Sequence, residues 1–436
     1  MRRHIPLLLI VLIYLLIGAL YVQLTPAWQA PDEPAHYNYV RQLAAGNLPV
    51  MEPGDYDQDY LNEVVFESAF APSYTIDSIT YEDWQPPLYY LLQTPVYAAS
   101  NGSLTAMRML SLLLGAGTVI LAYAIALRIA PEEHWLALTV AVFVAFLPQH
   151  MAMMASINND SLAELLIAAV LFLIVDIGMT DTTHIRAKLV FLGVLLGLGF
   201  LTKGSVYILA PVAGLVLLWR YWGEWRDLVR AGLLVFVPAF LLGLLWWGRN
   251  TAVYGGLDVM GKQRHDAVVV GQPRTAEWIA QYGFDGTVER FVQTTFNSFW
   301  GQFGWMTVPM THPSWLYPLL WVFTGIVVAG VIWAALSDRK KLSQHGAPLL
   351  TMLTLFVLTF SVLVVYNFQF VQHQGRYLFP ALIPIAIGLA IGLGLWARPL
   401  RRRWPWIVYA IPLGLACFLI ALDLYALFYA IIPALA

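Results

Sequence analysis

A rigid acidic segment, Pro31-Asp32-Glu33-Pro34, is the clearest place in the sequence where side chains could take part in chemistry. The two prolines restrict the backbone on both sides of the acidic pair. A carboxylate held in this way can accept a proton from an incoming hydroxyl group, which is general base catalysis. Alternatively, the pair caps a helix running through 36–43, because acidic side chains stabilise helix N-termini. We predict Asp32 and Glu33 as catalytic residues and leave the capping interpretation open.

Two cations, Lys203 and Arg376, could bind a phosphate group. Arginine offers a planar fork of donors that matches phosphate oxygens, and lysine offers a flexible point charge. Each could instead anchor a helix end at a membrane interface, because long basic side chains extend towards the headgroups. Tyr377, next to Arg376, is a residue type favoured at that interface. The residues alone leave both interpretations open.

Other polar and aromatic side chains are weaker candidates for contacts with a substrate. Asp160 follows two asparagines, and it could bind a metal ion, orient a sugar or cap the helix that begins there. Asn297 and Trp300 could contact a sugar ring, or they could belong to an aromatic belt at the membrane interface. The remaining candidates for substrate binding are His36, Asp83, Gln85, Arg249, His373 and Tyr377.

The elements that position these residues are predicted to be membrane-spanning helices. Hydrophobic residues make up 59% of the 436 residues and charged residues 11%, which is about half the charge of a soluble domain. The hydrophobic residues form long uninterrupted runs, which is the signature of membrane spans. We therefore predict one all-α polytopic domain over residues 1–436, with about eleven spans. These lie near 5–24, 105–129, 135–151, 161–178, 188–204, 206–219, 228–248, 315–336, 347–367, 376–397 and 404–432.

The distribution of basic residues predicts which side of the membrane each loop occupies. With the N-terminus in the cytoplasm, 15 of the 24 Lys and Arg residues lie in short cytoplasmic segments, as the positive-inside rule requires. The two long segments, 25–85 and 249–314, are then outer loops, and the first of them is acidic. The unusual polar residues at span ends collect at this outer face. Carboxylates and cations beside hydrocarbon suit an amphipathic substrate, such as a lipid that carries phosphate.

Several classes of protein are disfavoured. The net charge of −2 gives no indication of a nucleic-acid partner. Cys417 is the only cysteine, so a disulfide within the chain is impossible. The sequence has no HExxH or GxSxG motif. It also has no Walker motif, which excludes an ATP-driven transporter within this chain. No cofactor motif is present, and the sequence does not decide whether a divalent metal takes part.

Several segments together resemble the membrane-embedded glycosyltransferases of the GT-C superfamily. The nearest likeness is to protein O-mannosyltransferases, lipid A aminoarabinose transferases and a related uncharacterised family of multispanning bacterial membrane proteins. The matching segments extend over nearly the whole chain. In order they are PDEPAHYNYVRQLAAGNLP, QPPLYYLL, RMLS, NNDSLAELL, LTKGS, SFWGQFGWM and QGRYLFP.

The resemblance implies that a polyprenyl-phosphate-linked sugar is the donor and that the sugar is transferred with inversion. The acceptor hydroxyl, on an unknown glycan, lipid or protein, would lie at the outer face of a bacterial inner membrane. By position, Asp32 resembles the acidic residue that engages the acceptor, and Lys203 and Arg376 would bind the donor phosphate. The aminoarabinose transferases carry a glutamate just before the proline that corresponds to Pro86, and in this chain that position is Gln85. Here Glu82 and Asp83 lie slightly upstream, so the position of the second carboxylate is open.

Two other classes of function remain as alternatives. A secondary transporter or flippase of lipid-linked substrates would also need charged groups within the membrane. Such proteins place these groups near the midplane, whereas here they are predicted at one edge, which favours catalysis. The second alternative is a non-catalytic membrane protein of glycan assembly that retains the fold.

Overall fold

The computed structural model describes residues 4–179, 184–337 and 346–435. About 75% of the structure is helical, so the predicted all-α architecture is confirmed. In the first half the helices are α1 (Ile5–Leu24), α2 (Glu33–Ala44), α3 (Gln58–Asn62), α4 (Leu88–Ala99), α5 (Leu104–Ile129), α6 (His134–Phe146), α7 (Pro148–Met154), α8 (Asp160–Gly178), α9 (Ile185–Phe200) and α10 (Leu209–Arg220). In the second half they are α11 (Trp225–Tyr254), α12 (Lys262–Val268), α13 (Thr275–Trp300), α14 (Leu316–Ser337), α15 (Gly346–Tyr366), α16 (Leu382–Arg401), α17 (Ala410–Tyr425) and α18 (Ile432–Leu435).

Shorter elements connect or extend these helices. The 3₁₀ turns are Gly204–Ile208, Gly375–Ala381 and Pro405–Tyr409, and the π-helical turns are Glu63–Glu67 and Ala426–Ile431. Strands β1 (Gln302–Phe303) and β2 (Val308–Pro309) form an antiparallel hairpin that pairs Gln302 with Pro309 and Phe303 with Val308.

Among the described residues, eight helical segments are long and apolar enough to cross a membrane. The bent pair α6–α7 would be a ninth. The predicted count of eleven is not confirmed, because α9 has only 16 residues and Gly204–Arg220 is also a shorter apolar helix. The basic residues Arg2, Arg3, Arg339, Lys340 and Lys341, which support the predicted topology, lie outside the described residues.

A bend interrupts the predicted span 135–151. Helices α6 and α7 meet at an angle of 62°. Leu147 between them has an extended backbone (φ −72°, ψ 115°) because the ring of Pro148 disfavours a helical conformation in the preceding residue. The bend brings α7 against α8 and the 3₁₀ turn Gly375–Ala381, two of the elements that carry the candidate site.

Small residues let the helices approach closely. A Cβ atom at Gly193 in α9 would lie 2.2 Å from the carbonyl oxygen of Val235 in α11. A Cβ atom at Gly330 in α14 would lie 2.4 Å from the carbonyl oxygen of Gly392 in α16. Backbone contact at small residues is a usual way for helices to associate in a bilayer.

The two long segments predicted as outer loops, 25–85 and 249–314, pack on each other and on the helix ends. The Arg264 side chain donates to the carbonyl oxygen of Met51 (2.9 Å), and the Trp305 indole donates to that of Trp28 (3.0 Å). The side chain of Arg249, near the end of α11, donates to the carbonyl oxygen of Pro49. These bonds hold the segment between α1 and α4 over the helix ends where the candidate site lies.

Candidate active site

Asp32 lies immediately before α2 in a left-handed backbone conformation (φ 66°, ψ −4°). This conformation is uncommon outside glycine, although aspartate tolerates it better than most residues. Its side chain makes no capping hydrogen bond to α2, so the capping interpretation of Asp32 is wrong. The strained backbone instead directs the carboxylate towards residues from other parts of the chain.

Arg376 is the charged partner of Asp32, although 344 positions separate them. The Arg376 Nη2 atom donates to Asp32 Oδ2 at 2.7 Å, and the Tyr81 hydroxyl donates to Asp32 Oδ1 at 2.9 Å. The Arg376 Nε atom donates to Gln374 Oε1, also at 2.7 Å. The Arg376 side chain is 10% exposed and that of Asp32 22%. Arg376 is therefore a largely buried ion-pair partner, and the interface-anchor interpretation does not fit.

The 3₁₀ turn that carries Arg376 is fixed against α13 by close backbone contact. The Gly375 N–H donates to Ser298 Oγ at 2.8 Å. A Cβ atom at Gly375 would lie 2.2 Å from the backbone nitrogen of Phe299 and 2.5 Å from the carbonyl oxygen of Thr295. Only glycine fits this contact without displacing the turn.

Lys203 and Asp160 form a second ion pair, with 2.7 Å between Lys203 Nζ and Asp160 Oδ1. Both side chains are 23% exposed. Lys203 lies between α9 and the following 3₁₀ turn, and Asp160 is the first residue of α8. The backbone N–H of Asp160 donates to Asn158 Oδ1 at 2.9 Å, so Asn158 provides the local cap and leaves the Asp160 carboxylate free for Lys203.

Glu33 does not share the environment of Asp32. Its side chain is fully buried and receives two hydrogen bonds from Arg108, at 2.7 Å from Nε and 2.5 Å from Nη2. The backbone N–H groups of Trp28 and Ile157 also donate to this carboxylate. Arg108 donates further to the carbonyl oxygens of Val22, Thr25 and Pro26 at the end of α1. A direct contact between Glu33 and a substrate does not fit this geometry, whereas positioning of Asp32 does.

Glu82 lies beside the cluster of Asp32, Lys203 and Arg376. It is a candidate for the second carboxyl group, whose position the sequence left open. Burial first, and then the charge of Asp32, raise the pKa of Glu82 to about 8, against the opposing effects of Lys203, Gln85 and Arg376. One of its carboxyl oxygens is buried without a hydrogen-bond partner among the described residues. Glu82 is therefore protonated at neutral pH.

Asp83 points away from this cluster. Gln42 donates to Asp83 Oδ2 at 2.8 Å, and the other oxygen is buried without a partner in the described part of the chain. Burial is the main cause that raises the pKa of Asp83 to about 8, and the charges of Asp55 and Glu82 add to it, against the opposing effects of Gln42 and Arg249. Asp83 is a neutral acid bonded to α2, and its predicted substrate contact does not fit this position.

The charges of the cluster balance. Burial alone would raise the pKa of Asp32, but the charge and hydrogen bond of Arg376 and the Tyr81 hydroxyl outweigh it and lower the pKa below its ordinary value. Asp32 and Asp160 are thus paired with Arg376 and Lys203, and protonated Glu82 adds no charge. The four charges sum to zero, so an added phosphate would leave the cluster with a net negative charge.

Neutral polar residues form the wall beside Asp32. His36 is buried with its Nδ1 atom 2.9 Å from the Tyr90 hydroxyl, and burial lowers the pKa of His36 to about 3. Asn159 donates to the same hydroxyl and to Gln85 Oε1, each at 3.3 Å. His36 and Gln85 therefore line the cluster as uncharged groups, together with Asn159, which precedes Asp160 in the chain.

Five other residues predicted to bind substrate lie outside the cluster or are already bonded to, or packed against, other side chains. Arg249 donates to the Tyr254 hydroxyl and to the carbonyl oxygen of Pro49. The His373 ring packs edge-to-face on Trp278 and Phe291, and burial lowers its pKa to about 4. Tyr377 follows Arg376, and its hydroxyl donates to Gln372 at 3.3 Å.

Asn297 and Trp300, near the end of α13, complete this group. Trp300 is 3% exposed and packs against Phe143 and Phe323, so its ring face is not open to a sugar and the predicted stacking is wrong for this arrangement. The Asn297 Oδ1 atom is buried without a partner among the described residues.

The described residues contain no group of three or more His, Cys, Asp or Glu side chains placed to hold a metal ion. A metal-binding role for Asp160 therefore has no further ligands of these types in the described part of the chain, whereas Lys203 already pairs with it. The Tyr81 hydroxyl and the Gln374 amide are neutral contacts that the sequence does not predict. Tyr81 adjoins Glu82, and Gln374 lies in the QGRYLFP segment. Their proximity to these predicted motifs is therefore the signal in the sequence that could indicate them.

Comparison with solved structures shows the fold. The crystal structure of ArnT from Cupriavidus metallidurans bound to undecaprenyl phosphate matches with a TM-score of 0.51 and 15% sequence identity. The structure of the same protein in the apo state gives a TM-score of 0.50 and 14% identity. Each match covers 98% of this chain and 73% of the ArnT chain. The expected likeness to the lipid A aminoarabinose transferases of the GT-C superfamily is confirmed at the level of the fold.

Comparison of sequences adds one match. A family model described as "Predicted membrane protein (DUF2142)" covers residues 75–386. This range contains Glu82, Asp160, Lys203 and Arg376 and begins after Asp32. No curated protein matches the chain.

Proposed function

The chain belongs to the DUF2142 family of predicted membrane proteins, and from its site we propose that it is a GT-C-type glycosyltransferase. In this proposal a sugar moves from a polyprenyl-phosphate-linked donor to an acceptor hydroxyl at the outer face of a bacterial inner membrane, with inversion. The observation that carries the proposal is the convergence of Asp32, Asp160, Lys203 and Arg376 from distant parts of the chain into one partly exposed cluster. The two ion pairs belong together because the charge of Arg376 also acts on the Asp160 carboxylate.

Lys203 and Arg376 are proposed to bind the donor phosphate. A polyprenyl tail would keep the donor in the bilayer, so its phosphate must be bound at the ends of the membrane helices. Phosphate is already a competent leaving group and needs charge stabilisation more than it needs a proton. Preorganised cations in a partly dehydrated site supply this stabilisation at little cost of reorganisation. The undecaprenyl phosphate bound to ArnT, a protein of the same fold, supports a lipid of this class.

Asp32 is proposed as the general base. Its lowered pKa keeps the carboxyl group ionised at physiological pH, so it can accept the proton of the acceptor hydroxyl. For inversion, the hydroxyl must attack from the side of the sugar opposite to the departing phosphate. Glu33, held by Arg108, is a positioning residue that fixes the backbone next to Asp32.

Glu82 is proposed as the second acidic residue of the site. As a protonated acid it can donate a hydrogen bond to a phosphate or sugar oxygen, which an ionised carboxylate cannot do. Its buried oxygen, unpartnered among the described residues, is a ready acceptor for a substrate hydroxyl. The proposal therefore moves the second acidic role from the position just before Pro86, where Gln85 stands, to Glu82.

A transporter or flippase agrees less well with the positions of these groups. Asp32 follows α1, Asp160 begins α8, Lys203 follows α9 and Arg376 precedes α16. All four thus lie at helix ends, whereas transporters hold their charged groups within interrupted helices near the midplane.

Turnover of a defined donor by the purified protein tests the proposal. The protein in lipid nanodiscs is mixed with polyprenyl-phosphate-linked hexoses or aminoarabinose and with extracted envelope glycolipids. Release of polyprenyl phosphate is followed by mass spectrometry. We expect release with the wild type and a fall of about 10²–10⁴-fold with Asp32→Asn, because that is the usual contribution of a general base. Equal release by the wild type and Asp32→Asn would reject Asp32 as the base. If the wild type neither consumed nor bound any of these lipids, the proposed function would be rejected.

A further inference from the structure

Each cation assigned to the donor phosphate is paired with a carboxylate of the chain itself. Arg376 is paired with Asp32 at 2.7 Å, and Lys203 is paired with Asp160 at 2.7 Å. A carboxylate and a phosphate accept the same charge-assisted hydrogen bonds from these side chains. They therefore compete for the same donor groups.

We infer that Asp32 and Asp160 are resident occupants of the phosphate site, which the donor phosphate displaces from Arg376 and Lys203 when it binds. The inference rests on the proposed function and deepens it. It makes Asp160 a residue that sets donor affinity, and it makes the availability of Asp32 dependent on the donor.

The geometry supports exchange of partners rather than simple addition of the donor. Arg376 is anchored through Nε to Gln374, so the guanidinium keeps its place when Nη2 changes partner. Asp32 keeps its second contact, from the Tyr81 hydroxyl to Oδ1, after Arg376 is withdrawn. Addition without exchange would place a third anion in a cluster whose two cations are already neutralised, and like charges at short range repel strongly where water is scarce.

The exchange has a consequence for the order of events. While Asp32 is bonded to Arg376, its carboxylate is a weak base, because the bond stabilises the charged form. When the donor phosphate takes Arg376, Asp32 loses this partner and comes to lie beside another anion, and both changes increase its affinity for a proton. The donor therefore prepares the base, and the acceptor is activated only after the donor is bound.

Binding of a polyprenyl monophosphate to the full-length protein in nanodiscs tests the inference. Asp32→Asn and Asp160→Asn keep the side-chain shape and remove the competing charge. A charge-assisted hydrogen bond is about twice as strong as a neutral one, so each substitution should tighten binding by about tenfold. If Asp160 oriented the sugar or held a metal ion, its loss would not produce this gain for a ligand without sugar in metal-free buffer.

Asp77→Asn is the matched control, because Asp77 also pairs with an arginine, Arg41, in the same outer segment, but its side chain is 63% exposed. This variant should bind as the wild type does. A polyprenyl alcohol of the same tail length should bind all variants equally, since it carries no phosphate. The two test substitutions lie on different elements, so misfolding of one variant leaves the other as an independent test.

The outcomes separate this inference from the proposed function. Tighter binding by both Asp→Asn variants supports the exchange. Unchanged or weaker binding by both, together with loss of binding in Arg376→Ala and Lys203→Ala, overturns the exchange and leaves the phosphate site intact. Wild-type binding by Arg376→Ala and Lys203→Ala overturns both the exchange and the assignment of the donor phosphate.

Discussion

Substitution of Arg376 by lysine separates charge from shape at the proposed phosphate site. The guanidinium donates to Gln374 from Nε and to Asp32 from Nη2, each at 2.7 Å. A lysine ammonium keeps the positive charge but lacks the planar fork that makes both bonds from one fixed position. With the donor bound, we expect Arg376→Lys to lose about one charge-assisted hydrogen bond, which is about 1.5–3 kcal/mol. This loss corresponds to a fall of about 10- to 100-fold in kcat/KM.

The assay is donor turnover by purified variants, with donors that carry prenyl tails of different lengths. The loss should be the same for every tail, because the phosphate is their common part, and Arg376→Ala should lose more than Arg376→Lys. Arg41→Lys is the control, since Arg41 pairs with Asp77 outside the cluster and its side chain is 38% exposed. Wild-type efficiency of Arg376→Lys would refute the phosphate clamp and transfer that role to Lys203 alone.

Three further predictions concern stability, pH and topology. Glu33→Gln leaves the Arg108 charge buried without its anion, so it should lower the free energy of unfolding by about 3–5 kcal/mol. The melting temperature in detergent should fall accordingly. A melting temperature equal to that of the wild type would contradict this prediction. Affinity for the phosphodiester donor, whose charge does not change with pH, should fall about tenfold as pH rises through about 8, because Glu82 then ionises and the cluster gains a negative charge. Glu82→Gln should abolish this step, and a step that persists in the variant would assign it to another group. Reporter fusions near Gln281 should read outside and fusions after Arg226 inside; the reverse would overturn the proposed sidedness.

The sequence predicted the helical architecture and the residues of the ion-pair cluster better than it predicted their partners. Hydrophobic runs and the alternation of basic loops led to the expectation that Asp32, Asp160, Lys203 and Arg376 share one face. The pairing of Asp32 with Arg376 depends on how helices far apart in the chain pack, which no local pattern encodes. The same limit applies to Arg108 in the RMLS segment, whose ion pair with Glu33 no local pattern predicts.

The sequence does not tell the roles of adjacent acidic residues apart, because those roles depend on the direction in which each side chain points. Glu33 and Asp32 are neighbours, yet the left-handed backbone of Asp32 sends the two carboxylates to different partners. Glu82 and Asp83 likewise lie in an irregular segment, where no helical or strand period tells which of them faces the cluster. Hydrophobicity alone also does not define the short spans, because α9 has only 16 residues and Pro148 breaks a run that is continuous in hydrophobicity.

The position of the lipid phosphate is the most direct test of the central claim. A density map of the protein in nanodiscs with a polyprenyl monophosphate would locate the phosphate group relative to the four charged side chains. We predict the phosphate between Arg376 and Lys203, with Asp32 and Asp160 withdrawn from their present partners at 2.7 Å. A phosphate bound elsewhere, with both ion pairs intact, would contradict the account.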